Sequence, residues 1–457
     1  MSTERTIAVV LAGGVGTRVG LGIPKQLIRI AGKAIVEHTL ESLSENELID
    51  EILVMMNAES LHELDYLVGD ARFPKLRGVL PGGETRNDTT KLALAALPDD
   101  QRTKVLFHDA VRPFIDDRII EDCVRALDEY DAVDTAIPSA DTIIQVDDDV
   151  ITDIPVRSRL RRGQTPQAFR LGTIRRAYEA AADDPDFAAT DDCGVVFTYL
   201  PDVPIRVVEG SAENMKITEP LDLHIADKIF QLQTAELTQL GSDLELDLTG
   251  KTVVVLGGSY GIGASIVEMA ERAGATVFAF SRTTTGTDVT SRKSVRRALA
   301  EAATSGRIDY VVVTAGILTI APLAKTKKKA LRRTLDINLM APAKIAQEAY
   351  RHLRATHGQL LFFTSSSYTR GRAGYSLYSA TKAGVVNLTQ ALADEWAEHG
   401  VRVNCINPQR TRTPMRTNAF GEEPPQTLLD PSDVATVSLK VLEADVTGQI
   451  VDIRVTT

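Results

Sequence analysis

Short apolar runs alternate with helical patterns along this chain, and the alternation occurs twice. The first series comprises "TIAVVLA" (6–12), "EILVMMN" (51–57), "KVLFHDA" (104–110), "DAVDTAIP" (131–138) and "PIRVVEG" (204–210). Short apolar runs bounded by turn signals suit strands buried on both faces, so this half is predicted to be a mostly parallel sheet covered by helices. The helix-like "EPLDLHIADKIFQLQ" ends the unit near residue 233. A second series, "KTVVVLGG", "ATVFAFSR", "DYVVVTAG", "GQLLFFTSSS" and "VRVNCINP", predicts another complete doubly wound sheet. Between them, "TAELTQLGSDLELDLTG" has weak periodicity and two glycines, which reads as a linker. The expected organisation is therefore α/β throughout: a doubly wound domain over 1–233, a linker over 234–249 and a second doubly wound domain over 250–457.

Size and composition agree with two soluble domains. The 457 residues are 44% hydrophobic and 25% charged, ordinary values for globular proteins. A net charge of -11 argues against a partner bound through its phosphate backbone, while leaving small phosphorylated substrates open. "KTKKKALRR" (325–333) reads as the solvated face of a helix. Cys123, Cys193 and Cys405 are far apart and form no CxxC pair, which excludes a disulfide scaffold or a structural zinc site. The opening "MSTERTIAVVLAGG" has neither a leader pattern nor a membrane-length apolar run, so a cytoplasmic location is expected.

Chemistry is most legible in the second half. In "VVLGGSYGIG" a strand runs into Gly257, Gly261 and Gly263, followed by a helix pattern. Glycine lets the backbone turn tightly and approach a pyrophosphate, whose charge is favoured at a helix N-terminus. About twenty residues on, where an acidic residue would bind the ribose of NAD, stand Ser281 and Arg282, and a guanidinium suits the 2'-phosphate of NADP. In "YSATK", Tyr378 and Lys382 share one helix face. The ammonium is expected to lower the phenol's pKa and make it a general acid for a carbonyl being reduced. Ser365, in "TSSS", can bond the same oxygen.

These residues resemble the short-chain dehydrogenase/reductase family over about 250–457. The resemblance implies a catalytic set of Asn338, Ser365, Tyr378 and Lys382. It implies cofactor contacts from Gly257, Ser259, Gly261, Ile262, Gly263, Ser281, Arg282, Asp288, Val289, Ala315 and Gly316, besides Tyr378 and Lys382. The chain departs from the family pattern at Thr314 and Gln409. Arg370, Arg372, Arg410 and Arg412 lie on two loops expected near the substrate, where arginine forks favour a phosphorylated carbonyl compound.

The first half carries "LAGGVGTRVGLGIPKQ" (11–26), a glycine-rich loop with two cations, Arg18 and Lys25. Backbone N–H groups of such a loop can cup phosphates, and the P-loop pattern is absent. With "GGETRNDTT", "HDAVRPF", "TPQAF" and "ENMKIT", the segment resembles the methylerythritol phosphate and ribitol 5-phosphate cytidylyltransferases over about 5–230. The resemblance implies Arg18, Lys25 and Lys216 as the cations on the reacting phosphates. It implies CTP contacts from Ala12, Gly13, Gly14, Gly16, Gly82, Gly83, Arg86 and Thr89. Asp109 would hold the acceptor or help hold Mg²⁺, which otherwise rides on the CTP phosphates. Thr142 and Arg157 would reach the acceptor phosphate from an arm that crosses a homodimer, with Arg159, Arg161 and Arg162 as nearby competitors.

The order of the two halves resembles that of the bifunctional ribulose 5-phosphate reductases/CDP-ribitol pyrophosphorylases. That resemblance implies NADPH-dependent reduction of ribulose 5-phosphate, then CTP coupling of ribitol 5-phosphate for capsule or wall polymers. A methylerythritol phosphate cytidylyltransferase fused to a reductase of other or no activity, another polyol phosphate, and a non-catalytic second half remain as alternatives.

Overall fold

The computed structural model of the chain describes residues 4–14, 23–185, 187, 189–237 and 246–454. It divides into two compact units, Met1–Ala226 and Asp227–Thr457. The helix Pro220–Leu237 continues past residue 233, and residues 238–245 of the expected linker lie outside the described residues.

In the first unit seven strands form one sheet, in the order Ile205–Glu209, Ala132–Pro138, Arg161–Arg170, Lys104–Asp109, Thr6–Ala12, Glu51–Met56 and Leu76–Pro81. Only Arg161–Arg170 runs antiparallel to its neighbours. Every residue of Thr6–Ala12 is buried. Ala8, Val10 and Ala12 join one core cluster, and Ile7, Val9 and Leu11 join the other. Burial on both faces is why the run is continuously apolar. The register pairs Ala12 with Met56, Met56 with Pro81 and Leu11 with Asp109. The loops that begin at Gly13 and Gly82 therefore leave the same carboxyl edge of the sheet that ends in Asp109, where ligands of open α/β sheets bind.

The apolar pattern does not reveal Leu76–Pro81 or Arg161–Arg170. The latter begins with polar residues and contains Pro166, which cannot donate to a ladder. Pro166 is accommodated where the pairing with Ala132–Pro138 shifts between Gln164 and Ala168. A two-stranded hairpin, Gln145–Asp147 with Val150–Asp153, projects with all its strand residues exposed. Its turn residues Asp148 and Asp149 have φ of 43° and 61°, the left-handed pair that a tight hairpin turn requires.

The second unit holds a six-stranded parallel sheet in the order Thr276–Phe280, Thr252–Leu256, Tyr310–Val313, Gln359–Phe363, Arg402–Pro408 and Ile450–Ile453. Leu256 pairs with both Phe280 and Val313, and Phe363 pairs with Ile406. These strand ends gather the glycine turn, Ser281, Thr314 and Ser365 along one edge. Both halves are thus doubly wound α/β units, with a nucleotidyltransferase-like sheet first and a Rossmann-like sheet second.

Candidate active sites

In the first unit the glycine loops converge on one threonine. Gly83 N donates to Thr89 Oγ1 (3.0 Å), which donates to Thr85 O (2.9 Å). A Cβ on Gly13 would lie 3.3 Å, and one on Gly82 3.1 Å, from the same Oγ1. Thr89, buried at 3% exposure, thus braces the loops with its hydroxyl spent inside the protein. Gly14 faces Lys25, whose Cε would be 3.8 Å from a Cβ there. Gln26 Nε2 ties that segment to Ala12 O at 2.5 Å. Gly16 and Arg18 lie outside the described residues.

Asp109 is the centre of charge. Its Oδ2 is 3.0 Å from Lys216 Nζ and 3.3 Å from Arg112 Nε. Burial opposes its ionisation, but Lys216, Arg112 and Arg86 hold its pKa down at about 2. A carboxylate so neutralised does not fit a protein ligand for Mg²⁺, and no group of three or more His, Cys, Asp or Glu residues suited to a metal exists among the described residues. Arg112, inside the "HDAVRPF" motif but without an assigned role at the sequence level, donates through Nη1 to Asn214 O at 2.8 Å.

His108 closes the turn around Asp109. Thr165 Oγ1 accepts from Asp109 N (3.0 Å) and bonds His108 Nδ1 (3.1 Å), while His108 Nε2 bonds Arg112 O (3.1 Å). With Thr165 donating to Nδ1, the ring carries its proton on Nε2. Burial lowers the His108 pKa to about 4, so the ring is neutral near pH 7. Asn214 Nδ2 donates to Thr165 O at 2.9 Å, which joins "TPQAF" to "ENMKIT". Thr142 and Arg157 are exposed on the projecting arm, as are Arg159, Arg161 and Arg162. No hydrogen bond or ion pair among the described residues joins Thr142 or Arg157 to the Asp109 cluster.

The second unit has a cavity of about 1030 Å³, and every residue assigned to the cofactor from sequence lines it, together with Ser365. Gly257 has a φ of 110°, and a Cβ there would lie 2.5 Å from Ala315 N; at Gly263 it would lie 2.3 Å from Gly257 O. Only glycine leaves this backbone cradle open, as a dinucleotide pyrophosphate requires. Thr314, where the family usually has Asn, donates from Oγ1 to Leu256 O at 3.4 Å and packs on the same glycines, so the loop keeps its support.

Tyr378 is hydrogen-bonded to Ser365, and Lys382 Nζ lies 5.8 Å from the Tyr378 ring centroid. The expectation of a lowered phenol pKa is corrected here. Burial raises it above its ordinary value, and the Ser365 hydrogen bond offsets this only in part. Lys382 is itself lowered to about 8 by burial, and its ammonium donates to Phe363 O at 2.7 Å. A raised pKa keeps the phenol protonated, as an acid awaiting a carbonyl must be. Asn338 is outside the cavity lining and 1% exposed. It accepts from Ile317 N (2.9 Å) and donates to Ile317 O (2.8 Å). Asn338 therefore positions the cavity wall.

The four loop arginines separate. Arg372 and Arg410 line the cavity, whereas Arg370 and Arg412 do not, and Arg412 pairs with Asp430. Arg416, which sequence reasoning missed, also lines it but is bound to Glu423 through Nε (2.6 Å) and Nη2 (2.8 Å). Its signal, one more arginine beyond "PQRTRTP", does not tell the partner.

The two sites define the class: a nucleotidyltransferase unit followed by a short-chain dehydrogenase unit that takes a nicotinamide cofactor. Residues 6–232 match the model of 2-C-methyl-D-erythritol 4-phosphate cytidylyltransferase, and residues 251–424 match short chain dehydrogenase. The chain is 44% identical over 459 residues, 99% of itself and 96% of the relative, to the bifunctional ribulose 5-phosphate reductase/CDP-ribitol pyrophosphorylase Bcs1 of Haemophilus influenzae. It belongs to that bifunctional family. Its first half is also 45% identical to 2-C-methyl-D-erythritol 4-phosphate cytidylyltransferase of Thermobifida fusca, over 51% of this chain and 96% of that one. It is 36% identical to ribitol-5-phosphate cytidylyltransferase of Lactiplantibacillus plantarum, over 49% and 97%.

Proposed function

We propose that the chain makes a cytidylylated polyol in two steps. The second unit reduces D-ribulose 5-phosphate to D-ribitol 5-phosphate with NADPH. The first couples that product to CTP, giving CDP-ribitol and pyrophosphate for ribitol-containing capsule or wall polymers. One observation carries the reading: the Asp109 cation cluster and the Ser365, Tyr378 and Lys382 cavity occur in a chain similar along 99% of its length to an enzyme named for both activities.

In the reductase, the Gly257–Gly263 cradle would hold the nicotinamide cofactor, which would supply the hydride for the ketone carbon. Tyr378 gives its phenolic proton to the ketone oxygen, which Ser365 also holds. Lys382, charged below about pH 8, favours the phenolate left behind. Arg372 and Arg410 take the substrate phosphate. NADPH rather than NADH is supported by Arg282, a cavity-lining guanidinium two residues beyond the strand Thr276–Phe280.

In the transferase, a phosphate oxygen of the polyol phosphate attacks the α-phosphorus of CTP, a new P–O bond forms, and the α–β bridging bond breaks to release pyrophosphate. Arg18, Lys25 and Lys216 offset charge that builds on the non-bridging oxygens. Gly13, Gly14, Gly82 and Gly83 let the backbone approach CTP. Asp109 orients the acceptor, and Mg²⁺ brought with the triphosphate would add positive charge against its oxygens. Thr142 and Arg157 serve the partner subunit of a homodimer. In support, the arm exposes Val150 at 63% and Val156 at 62%, apolar surface suited to a second copy. Three free, buried cysteines favour the reducing cytoplasm.

The test is pyrophosphate release from CTP, Mg²⁺ and ribulose 5-phosphate with and without NADPH. Release only with NADPH is expected; release in neither arm overturns the reading. The 45% identity to a methylerythritol phosphate enzyme favours a second acceptor, and competition between the two polyol phosphates decides between them.

A further inference from the structure

The first unit buries a carboxylate that this chemistry does not use. Asp192 has no exposed surface and opens the helix Asp192–Tyr199, capped by Asp191, which accepts from Gly194 N at 2.7 Å. Three contacts fix it. Its Oδ1 accepts from Tyr178 OH at 2.7 Å, its N donates to Gln167 Oε1 at 3.0 Å, and its Oδ2 is 2.7 Å from Arg86 Nη1. Gln167, on the inner strand Arg161–Arg170, also donates to Asp134 (3.0 Å) and Asp191 (3.1 Å). The carboxylate is thus anchored to the sheet.

Arg86 is anchored on one side only. It is the first residue of the helix Arg86–Ala96, just past the Gly82–Gly83 loop. Both Nη atoms are buried; Nη1 is held by the 2.7 Å contact with Asp192 Oδ2, while Nη2 has no hydrogen-bond partner among the described residues. Arg86 also feels the Asp109 carboxylate. A purely structural arginine uses its fork within the protein, commonly as a bidentate pair. A buried donor without an acceptor, next to the Gly82–Gly83 loop and within the field of Asp109, is open to a ligand's acceptor.

We infer that Asp192 is a positioning residue for cytidylyl transfer: it holds Arg86 so that the remaining N–H groups of the guanidinium meet phosphate oxygens of the substrates above Asp109. The inference rests on the transferase reading given above. It is tested in the full-length chain by pyrophosphate release from CTP and ribitol 5-phosphate, with NADPH-dependent reduction by the same preparations as the measure of folded chain. Asp192→Asn and Arg86→Ala should each lower kcat/KM by about 100-fold, the cost of a misplaced binding group. The double variant should be no worse than Arg86→Ala alone. Losses that multiply overturn the inference, because Asp192 then acts independently of Arg86. Full activity in Asp192→Asn does so as well.

Should Asp192→Asn fail to fold, Tyr178→Phe removes one anchor and keeps the charge. It should lower kcat/KM several-fold in the chain with Arg86 and leave the Arg86→Ala chain unchanged; equal losses in both overturn the inference. Full activity in Arg86→Ala with loss in Lys216→Ala overturns it alone and spares the transferase reading. No release by the unmodified chain overturns both.

Discussion

Lys216 Nζ stands 3.0 Å from Asp109 Oδ2, although the two residues come from separate segments of the first unit. With Arg112 at 3.3 Å, this pair makes an anionic centre inside a cationic rim. Asp109→Asn removes the charge that holds both cations. It should cut pyrophosphate release by about 100-fold, as losing a preorganised charge does, while leaving NADPH oxidation within about twofold of the unmodified chain, as expected for an independent site with no shared partners. Steady-state assays of both reactions on one preparation check this.

The two activities should separate by mutation. Tyr378→Phe removes the only proton of the phenol and should abolish NADPH oxidation, leaving CTP coupling of supplied ribitol 5-phosphate intact. Lys25→Ala should do the reverse. If either change silences both activities in folded protein, the two sites are not independent.

Lys382 sets a pH limit. Its pKa in the fold, about 8, is below the ordinary 10.5, so the group is charged below pH 8 and neutral above it. Reductase kcat/KM should fall as pH rises through about 8. The stability term has the opposite sign. The fold disfavours the charged lysine, so the penalty is present below pH 8 and relieved between pH 8 and 10.5. A pH–rate profile run beside denaturant melts should show activity declining without a matching loss of stability from this group.

Gly263 tests the cofactor cradle. In Gly263→Ala the new methyl would lie 2.3 Å from Gly257 O, and backbone must move to admit it. Nicotinamide affinity should fall at least tenfold, with a loss of about 1–3 kcal/mol in stability from overpacking. Fluorescence titration with NADPH and urea unfolding measure the two effects. Unchanged affinity would place the pyrophosphate elsewhere.

The arginines on the reductase loops offer a paired comparison. Arg372→Gln with Arg410→Gln removes two cavity-lining cations and should raise KM for ribulose 5-phosphate by more than about 100-fold, given roughly 1.5–3 kcal/mol for each of two charged hydrogen bonds. Arg370→Gln with Arg412→Gln removes cations outside the lining, and KM should stay nearly constant. Unphosphorylated ribulose should be insensitive to either pair.

Local pattern determined much of this protein. Strands such as Thr6–Ala12 and Thr252–Leu256 are legible because burial on both faces demands unbroken apolar runs. The Gly257–Gly263 turn and the shared face of Tyr378 and Lys382 are legible because each is fixed by spacing within one turn or one helix. Tertiary structure alone decided the rest. Arg161–Arg170 is a strand only because two neighbours supply its ladder and a register shift absorbs Pro166. Arg112 meets Asn214 across 102 positions, and Arg86 finds Asp192 on another helix. Such pairs depend on sheet register and helix packing, which no window of sequence contains. The Tyr378 pKa turns on the same distinction. Sequence gives the neighbouring ammonium, but the depth of burial, set by the whole unit, determines which way the phenol shifts.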